Sequence, residues 1–437
     1  MIYRQIKLLF IAGLFVWFAA QAIYFSVHVK LGCPPDENYH FQLSNEYKEL
    51  KGIFIEDTPK TYKWGSISTT YYLYHLVMGK MLNLNIFKIP DYLFLRILNI
   101  LMSIIALFYC YRLTKEITED IFIRILSVGI YANTLMVVFL AGSINYDNLA
   151  NLMSIMSMFY YIKFIKTKLR TDLLKTILSL LVGLLAKISL APLVLIFAVI
   201  SPFFIKLKDI KGLFYGRIRV AEIVLITLVA IFLFLNVKLY VGNFVNYGSV
   251  RPPTISTVLA KKGLGSEYKT DGEKVYDQIY ASASTRERMS FLPFLAKYIV
   301  RMENGTFGVF AHKAMFNYNL IVCNLLFLFS FVIIVINYKD LLYNKTLLAL
   351  FLTSFVYFLY IMIEQYVSYR QMNSFGPGLQ GRYNFPVLIC FYIVFANFIL
   401  YRFSNKIKVL LSSLIILYFI YNSFFFFIRN VTPDWFV

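Results

Sequence analysis

Runs of apolar residues, broken by short polar or basic stretches, recur from one end of the chain to the other. A bilayer core of roughly 30 Å takes about 20 apolar residues per helix, and most of the runs approach that length. In order they predict membrane spans at residues 6–27, 91–111, 121–141, 149–165, 173–185, 191–205, 221–241, 320–338, 347–365, 385–401 and 409–428, about eleven in all. The expected fold class is an all-α integral membrane protein, a single polytopic domain over residues 1–437.

Three stretches break the rhythm. Residues 30–90 carry mixed charge and contain "SISTTYYLYHLVMGKMLNLNIF", apolar but interrupted by Thr69, Thr70, His75 and Lys80, which predicts an amphipathic helix lying in the interface. Residues 242–315 form the longest polar region, with a second interfacial helix expected in "SFLPFLAKYIVRMENGTFGVF". Residues 366–384, "YVSYRQMNSFGPGLQGRYN", are dense in glycine and proline and predict defined turns.

Charge then sets direction. Arg4 and Lys7 precede the first span, and basic clusters recur at Arg112 and Lys115, at Lys163 to Lys175, and in "KLKDIKGLFYGRIR". Leaving both interfacial helices unspanned puts every cluster on the side of the N-terminus, the cytoplasm by the positive-inside rule. The three irregular stretches then share the extracytoplasmic face of the cell membrane. Counting the helix near Tyr74 as a span would reverse everything after it, and the basic residues oppose that.

With 59% hydrophobic and 15% charged residues in 437, composition excludes a soluble globular domain. The net charge of +20 sits in loops between spans, which argues for orientation in a membrane rather than for nucleic acid as a partner. Cys110, Cys323 and Cys390 fall inside apolar runs and leave Cys33 alone outside them, so no disulfide framework is implied. Leu31-Gly32-Cys33 resembles a lipoprotein cleavage site. Lys30 and the long aromatic run before it predict an uncleaved first span instead.

Candidate chemistry gathers on the outer face. In "PPDENYHF", Pro34-Pro35 predicts a helix beginning near Asp36, with His40 on the same face at i+4 and Glu37 beside them. A carboxylate in a first helical turn is held ionised by the helix dipole and suits a general base; equally, it suits a solvated helix start. Asn145 and Asp147 in "GSINYDN" read either as a second acidic site or as the cap of the fourth span. Arg382 in "GLQGRYNFP", flanked by Gln380 and Tyr383, reads either as a phosphate ligand approached over glycines or as a snorkelling arginine. Lys63 and Lys187 are single basic residues near the outer face, Lys187 the weaker candidate because it lies close to the turn between the fifth and sixth spans. The "FFFF" tract and Tyr71-Tyr72 are expected to face lipid or core. The sequons at Asn304 and Asn430 matter only in a host that glycosylates that side. No metal-ligand spacing of the CxxC or HExxH kind occurs.

An acidic pair just after the first span, an interfacial helix before the second and another Asp between the third and fourth resemble the GT-C superfamily of membrane glycosyltransferases, which includes protein O-mannosyltransferases and lipid A aminoarabinose transferases. More closely, "PPDENYHF" and "GLQGRYNFP" resemble the motifs PPDExxHF and GxQGRYxxP at the two ends of a bacterial branch of that superfamily. The resemblance implies transfer of a sugar from a polyprenyl-phosphate carrier to an acceptor on the outer face, a surface glycan or a lipid-linked or teichoic-acid-like polymer. It implies Asp36 as the catalytic aspartate with Glu37 as companion, Asp147 as the second acidic site, and His40 and Asn145 as supports. Arg382, Gln380 and Tyr383 would meet the donor phosphate, and Lys63 would join them, although Trp64-Gly65-Ser66 follows it where the family has Lys-Pro-Pro. No cofactor is implied, and a divalent metal beside Asp36 and Asp147 is left open. The alternatives are a transporter or flippase of lipid-linked sugars, which would place ionisable groups mid-span, and a surface-polysaccharide polymerase or ligase.

Overall fold

In the computed structural model, residues 2–206, 208–209, 213, 218–269, 271–283, 288–310, 314–315, 320–375 and 380–437 are described. Residues 376–379 of the glycine-rich motif, much of the basic stretch after residue 206, and parts of the 242–315 region lie outside them. The described chain is helical apart from an antiparallel pairing of Val309–Phe310 with Ala314–Met315.

The helices are α1 Ile2–His28, α2 Glu37–Glu49, α3 Leu73–Leu82, α4 Asp91–Ile117, α5 Ile121–Ala132, α6 Leu135–Ala141, α7 Asp147–Thr167, α8 Arg170–Ala186, α9 Ala191–Phe204 and α10 Val220–Tyr247. The polar region after α10 holds α11 Ile255–Lys262, α12 Asp271–Ala281 and α13 Phe291–Phe307. After them come α14 Leu320–Ile336, α15 Tyr338–Tyr343, α16 Lys345–Met372, α17 Phe385–Ile399, α18 Asn405–Ile420 and α19 Phe426–Asn430, the last two joined by a π-helical turn.

Every segment expected to span is helical. Among the described residues six helices are long and apolar enough to cross a membrane by themselves, and α5 with α6 makes a seventh if that bent pair is one crossing. The pair bends by 62° at Asn133-Thr134 for a local reason. Asn133 Nδ2 donates to the Gly129 carbonyl, Thr134 Oγ1 donates to that of Ile130, and the Trp17 indole holds Asn133 from α1. Side chains that take carbonyls the helix would use interrupt its hydrogen-bond ladder. Centrality also varies: the best apolar window of α10 is 11% buried and that of α17 is 78%. One faces lipid; the other is the axis of the bundle.

Which ends meet is consistent with the alternation read from charge. Val29, past the end of α1, pairs with Phe436, and the Lys30 amide donates to Trp435 O. The last residues therefore lie at the same end of the bundle as the C-terminal end of α1, which requires an even number of crossings between them. The turns before α7, after α8 and before α17 reach that end as well.

The two helices expected in the interface each pack one face over this end, while Val77 on the first and Leu292 and Val300 on the second remain exposed. On α3, Tyr74, His75, Met78, Gly79 and Leu82 are buried, so its polar residues turn inward rather than toward headgroups. Gly79 lies against Ser44 O and Tyr47 Cβ of α2, so close that a side chain there would overlap the α2 backbone. On α13, Phe294, Tyr298, Met302 and Thr306 are buried at helical spacing.

Candidate active site

The turn after α1 places two neighbouring carboxylates in opposite surroundings. The helix starts at Glu37, not Asp36: Asp36 holds the capping position in a left-handed conformation (φ 58°, ψ 12°), with its carbonyl accepting from the His40 amide and its side chain making no cap. Asp tolerates that conformation better than most residues. The side chain of Asp36 is left 48% exposed, while Glu37 turns fully inward.

Glu37 is completely engaged. Its carboxylate takes a two-pronged bond from Arg96 of α4, Nε to Oε1 at 2.8 Å and Nη2 to Oε2 at 2.7 Å, and accepts the amides of Gly32 and Ile144 at 3.0 Å each. Arg96 Nη1 donates onward to the carbonyls of Ser26 and Val29 at the end of α1. This bracket ties α1, the first loop, α4 and the turn before α7 together. A carboxylate accepting four hydrogen bonds from buried donors is unsuited to proton transfer, so the expectation of Glu37 as catalytic companion is corrected to a scaffold.

Asp36 faces a different set. Arg382 Nη2 donates to Asp36 Oδ2 at 2.7 Å, and Arg382 Nη1 lies 3.6 Å from Asp147 Oδ2. Asp147 Oδ1 in turn accepts the Lys187 ammonium. Asp36, Arg382, Asp147 and Lys187 thus form one chain of alternating charge drawn from four separated parts of the sequence. Lys187, the weaker basic candidate by sequence, belongs to the centre. Its ammonium lies 4.7 Å from the Tyr146 ring and 5.2 Å from that of Tyr383, positions that favour a cation. Burial pulls its pKa below the ordinary lysine range, while Asp147 opposes the fall.

Asn145 fastens the "GSINYDN" turn in two directions. Its Oδ1 accepts the Asp147 amide at 2.9 Å, and its Nδ2 donates to Pro35 O at 3.0 Å, fastening this turn to the loop that carries Asp36. Tyr357 closes the other side by donating to Ser189 O and Tyr383 O, beside Lys187 and Arg382 respectively.

The glycine beside Arg382 has a different purpose from the one expected. Gly381 packs backbone to backbone on Gly305 and Thr306 of α13, where a Cβ would overlap the Gly305 carbonyl carbon and the Thr306 amide nitrogen. It seats the arginine loop on α13 instead of admitting a phosphate. The sequon at Asn304 is part of the same packed helix. Gln380 precedes the short 3₁₀ turn and bonds its carbonyl to the Tyr383 amide.

Two expectations move away from the centre. His40 does not orient Asp36; its Nδ1 shares a hydrogen bond of 2.9 Å with His75 Nε2, the rings stacked and both buried. Burial holds both imidazoles neutral, with His75 down at about 3. Lys63 is exposed, its ammonium 4.8 Å from the Trp64 ring, and none of its contacts joins the charged chain.

Arg96 was missed, although an arginine five residues inside an apolar run is the kind of intramembrane charge that signals a role. His75 and Tyr146 were passed over as well. Tyr146 is layered between His40 (4.4 Å) and Lys187 (4.7 Å), a contact that no spacing rule reveals.

Several buried polar atoms around the charged chain form no hydrogen bond among the described residues: Arg382 Nε and Nη1, Asp147 Oδ2 and His40 Nε2. Such atoms each cost about 1–3 kcal/mol and are uncommon in packed interiors, so their grouping marks a place shaped for a polar ligand. Among the described residues no three His, Cys, Asp or Glu side chains converge as a metal centre. Next to the cluster, a cleft of about 450 Å³ opens between α13, α14, α16 and α17, walled by Phe307, Phe327, Phe331, Phe355, Phe391 and Phe395. Its polar residues include Thr306, which touches Gly381, and Asn384, two positions after Arg382.

No family model matches the chain, and no curated protein is similar to it. Solved structures are. The archaeal oligosaccharyltransferase AglB from Archaeoglobus fulgidus, in complex with an inhibitory peptide and a dolichol-phosphate, superposes with TM-score 0.53 at 13% identity, over 95% of this chain and 55% of that one. The Archaeoglobus fulgidus oligosaccharyltransferase in complex with Zn and sulfate gives 0.53 at 14% identity, over 94% and 52%. The form tethered to an acceptor peptide containing the NVT sequon gives 0.52 at 13%, over 95% and 54%. The likeness is one of fold, shared with these oligosaccharyltransferase structures. The chain spans about half the length of the oligosaccharyltransferase it matches.

Proposed function

We propose that the chain is a multi-pass membrane glycosyltransferase that takes a sugar from a polyprenyl-phosphate carrier and passes it to an acceptor hydroxyl at the extracytoplasmic face. The single observation that carries this reading is the bond between Arg382 and Asp36, residues 346 positions apart, because it joins "PPDENYHF" to "GLQGRYNFP" in one site. That meeting also supports membership of the bacterial branch that those two motifs resemble.

Each group then has a role that its chemistry suits. Asp36, the most exposed member of the chain, takes the proton of the acceptor hydroxyl. The freed oxygen attacks the anomeric carbon from the face opposite the phosphate, the bond from that carbon to the phosphate oxygen breaks, and the polyprenyl phosphate leaves with the electron pair. Arg382 and Lys187 hold the charge that develops on it. Asp147 keeps both cations in place. Lys63 has no part in this scheme; Tyr383 contributes its ring face to Lys187, and Gln380 the turn that carries Arg382. The guanidinium of Arg382 occupies one oxygen of Asp36. A donor phosphate arriving at Arg382 competes for the same N–H groups and releases the base as the reaction needs it. The aromatic cleft beside Asn384 suits an isoprenoid chain, which cannot leave the bilayer.

Purified full-length protein in proteoliposomes, offered a radiolabelled sugar either on polyprenyl phosphate or on a nucleotide, tests the reading. Transfer from the lipid-linked donor alone is expected. Transfer from the nucleotide sugar instead, or transport of the lipid-linked sugar without transfer, would sink it.

A further inference from the structure

Asp36 and Asp147 are the two carboxylates between which a divalent ion would sit, and sequence alone leaves such an ion open. Ligand count does not decide the matter, since Mg²⁺ is commonly held by one or two carboxylates with water and substrate phosphate completing its shell. Charge and placement do. The oxygen that Asp36 directs inward is bonded to Arg382, one oxygen of Asp147 holds Lys187, and the other lies 3.6 Å from Arg382. The two carboxylates and two cations already sum to zero. Arg382, Asp147 and Lys187 expose only 4, 3 and 6% of their side chains, so on the inner side of Asp36 water does little to screen an added charge. His40 has given Nδ1 to His75, and its ring lies tilted against Tyr146 with centroids 4.4 Å apart.

We infer that Arg382 and Lys187 stand in the place of a divalent cation between Asp36 and Asp147, so that the cluster excludes Mg²⁺ and Mn²⁺. A dication inserted there would leave a buried net charge of two. Removing one organic cation changes the sign of the problem, because the carboxylates then outnumber their partners and attract metal. For its meaning in catalysis this rests on the transferase reading, since it makes two side chains the electrophilic partner of the donor phosphate; ion binding itself does not depend on any sugar moving.

The test is Mn²⁺ titration followed by electron paramagnetic resonance, on the full chain in nanodiscs of uncharged lipid. Wild type is expected to bind no Mn²⁺ that Asp36→Asn or Asp147→Asn removes. Arg382→Gln and Lys187→Met are each expected to gain a saturable Mn²⁺ site at least tenfold tighter than any wild-type binding, and Arg382→Lys, which keeps the charge, is not. If one of the charge-removing variants fails to fold, the other carries the comparison. A wild-type site lost in Asp36→Asn and Asp147→Asn would overturn the inference, and so would folded charge-removing variants that still refuse Mn²⁺. Mn²⁺ retained equally by wild type and both Asn variants lies elsewhere and agrees with it.

Discussion

Glu37 and Asp36 are consecutive, and each is paired with a buried arginine, yet the two ion pairs are built in opposite ways. Around Glu37 each carboxylate oxygen receives one Arg96 nitrogen and one backbone amide, and the remaining Arg96 nitrogen is spent on two carbonyls. Around Asp36 one oxygen holds one Arg382 nitrogen, while among the described residues Nε forms no hydrogen bond and Nη1 only faces Asp147 Oδ2 at 3.6 Å. A saturated pair has no valence left for chemistry and gains rigidity. An under-saturated one keeps its groups available at a cost in stability, and the saturated pair beside it holds it in position.

The contrast predicts that damage separates into activity on one side and stability on the other. The largest effect should follow Asp36→Asn, with sugar transfer down about 10²- to 10⁴-fold, as for a lost general base, and the unfolding temperature little changed. Full activity in that variant would remove Asp36 from the chemistry. Glu37→Gln leaves Arg96 a buried, half-answered cation, and about 3–5 kcal/mol of stability should go with it in a chemical or thermal unfolding assay. Loss of transfer in Glu37→Gln without loss of stability would break the comparison.

Smaller effects sharpen it. Gly381→Ala must push α13 from the arginine loop, an overpacking of about 1–3 kcal/mol that should raise the KM for donor more than it lowers kcat. An unchanged KM would mean that the seat of the loop on α13 does not set the position of Arg382. The least effect concerns the histidine pair. Both imidazoles are held neutral in the fold, His75 down at about 3, so the unfolded chain binds protons first as pH falls below about 6.5. Stability is therefore fully present above 6.5 and declines as pH falls toward the folded value, by about 1.4 kcal/mol per pH unit for each histidine in that window. Unfolding curves at pH 7.0 and 5.5 should differ in wild type and differ less in His75→Gln.

Much of the architecture was legible because the bilayer imposes it. A chain that must bury about 20 apolar residues per crossing writes its helices into its hydropathy, and every expected span is helical here. The six to seven spans countable by length and composition fall short of eleven where the chain satisfies backbone groups by other means. Asn133 and Thr134 break α5 from α6, and α9 is short. The amphipathic reading of α3 did not say what its polar face meets, because the same pattern fits a lipid surface or a protein one, and α2 supplied a protein surface for one face.

For the candidate site, sequence gave Asp36, Asp147 and Arg382 on chemical grounds and their common face on grounds of charge. It could not tell Asp36 from Glu37, because that difference lies in which of two adjacent side chains points at Arg96, and a left-handed residue at 36 decides it. Nor could it raise Lys187 above a turn residue or pair His40 with His75, since those partners are 40 and 35 positions away. What the sequence by itself determined is the set of helices, their alternation and the end of the bundle at which polar residues gather, all of which follow from transferring single segments into lipid. The tertiary structure alone decided which carboxylate is saturated and which is left exposed, because hydrogen-bond saturation depends on donors brought together from the loop after α1, from α4 and from the turn before α7, which no local pattern encodes.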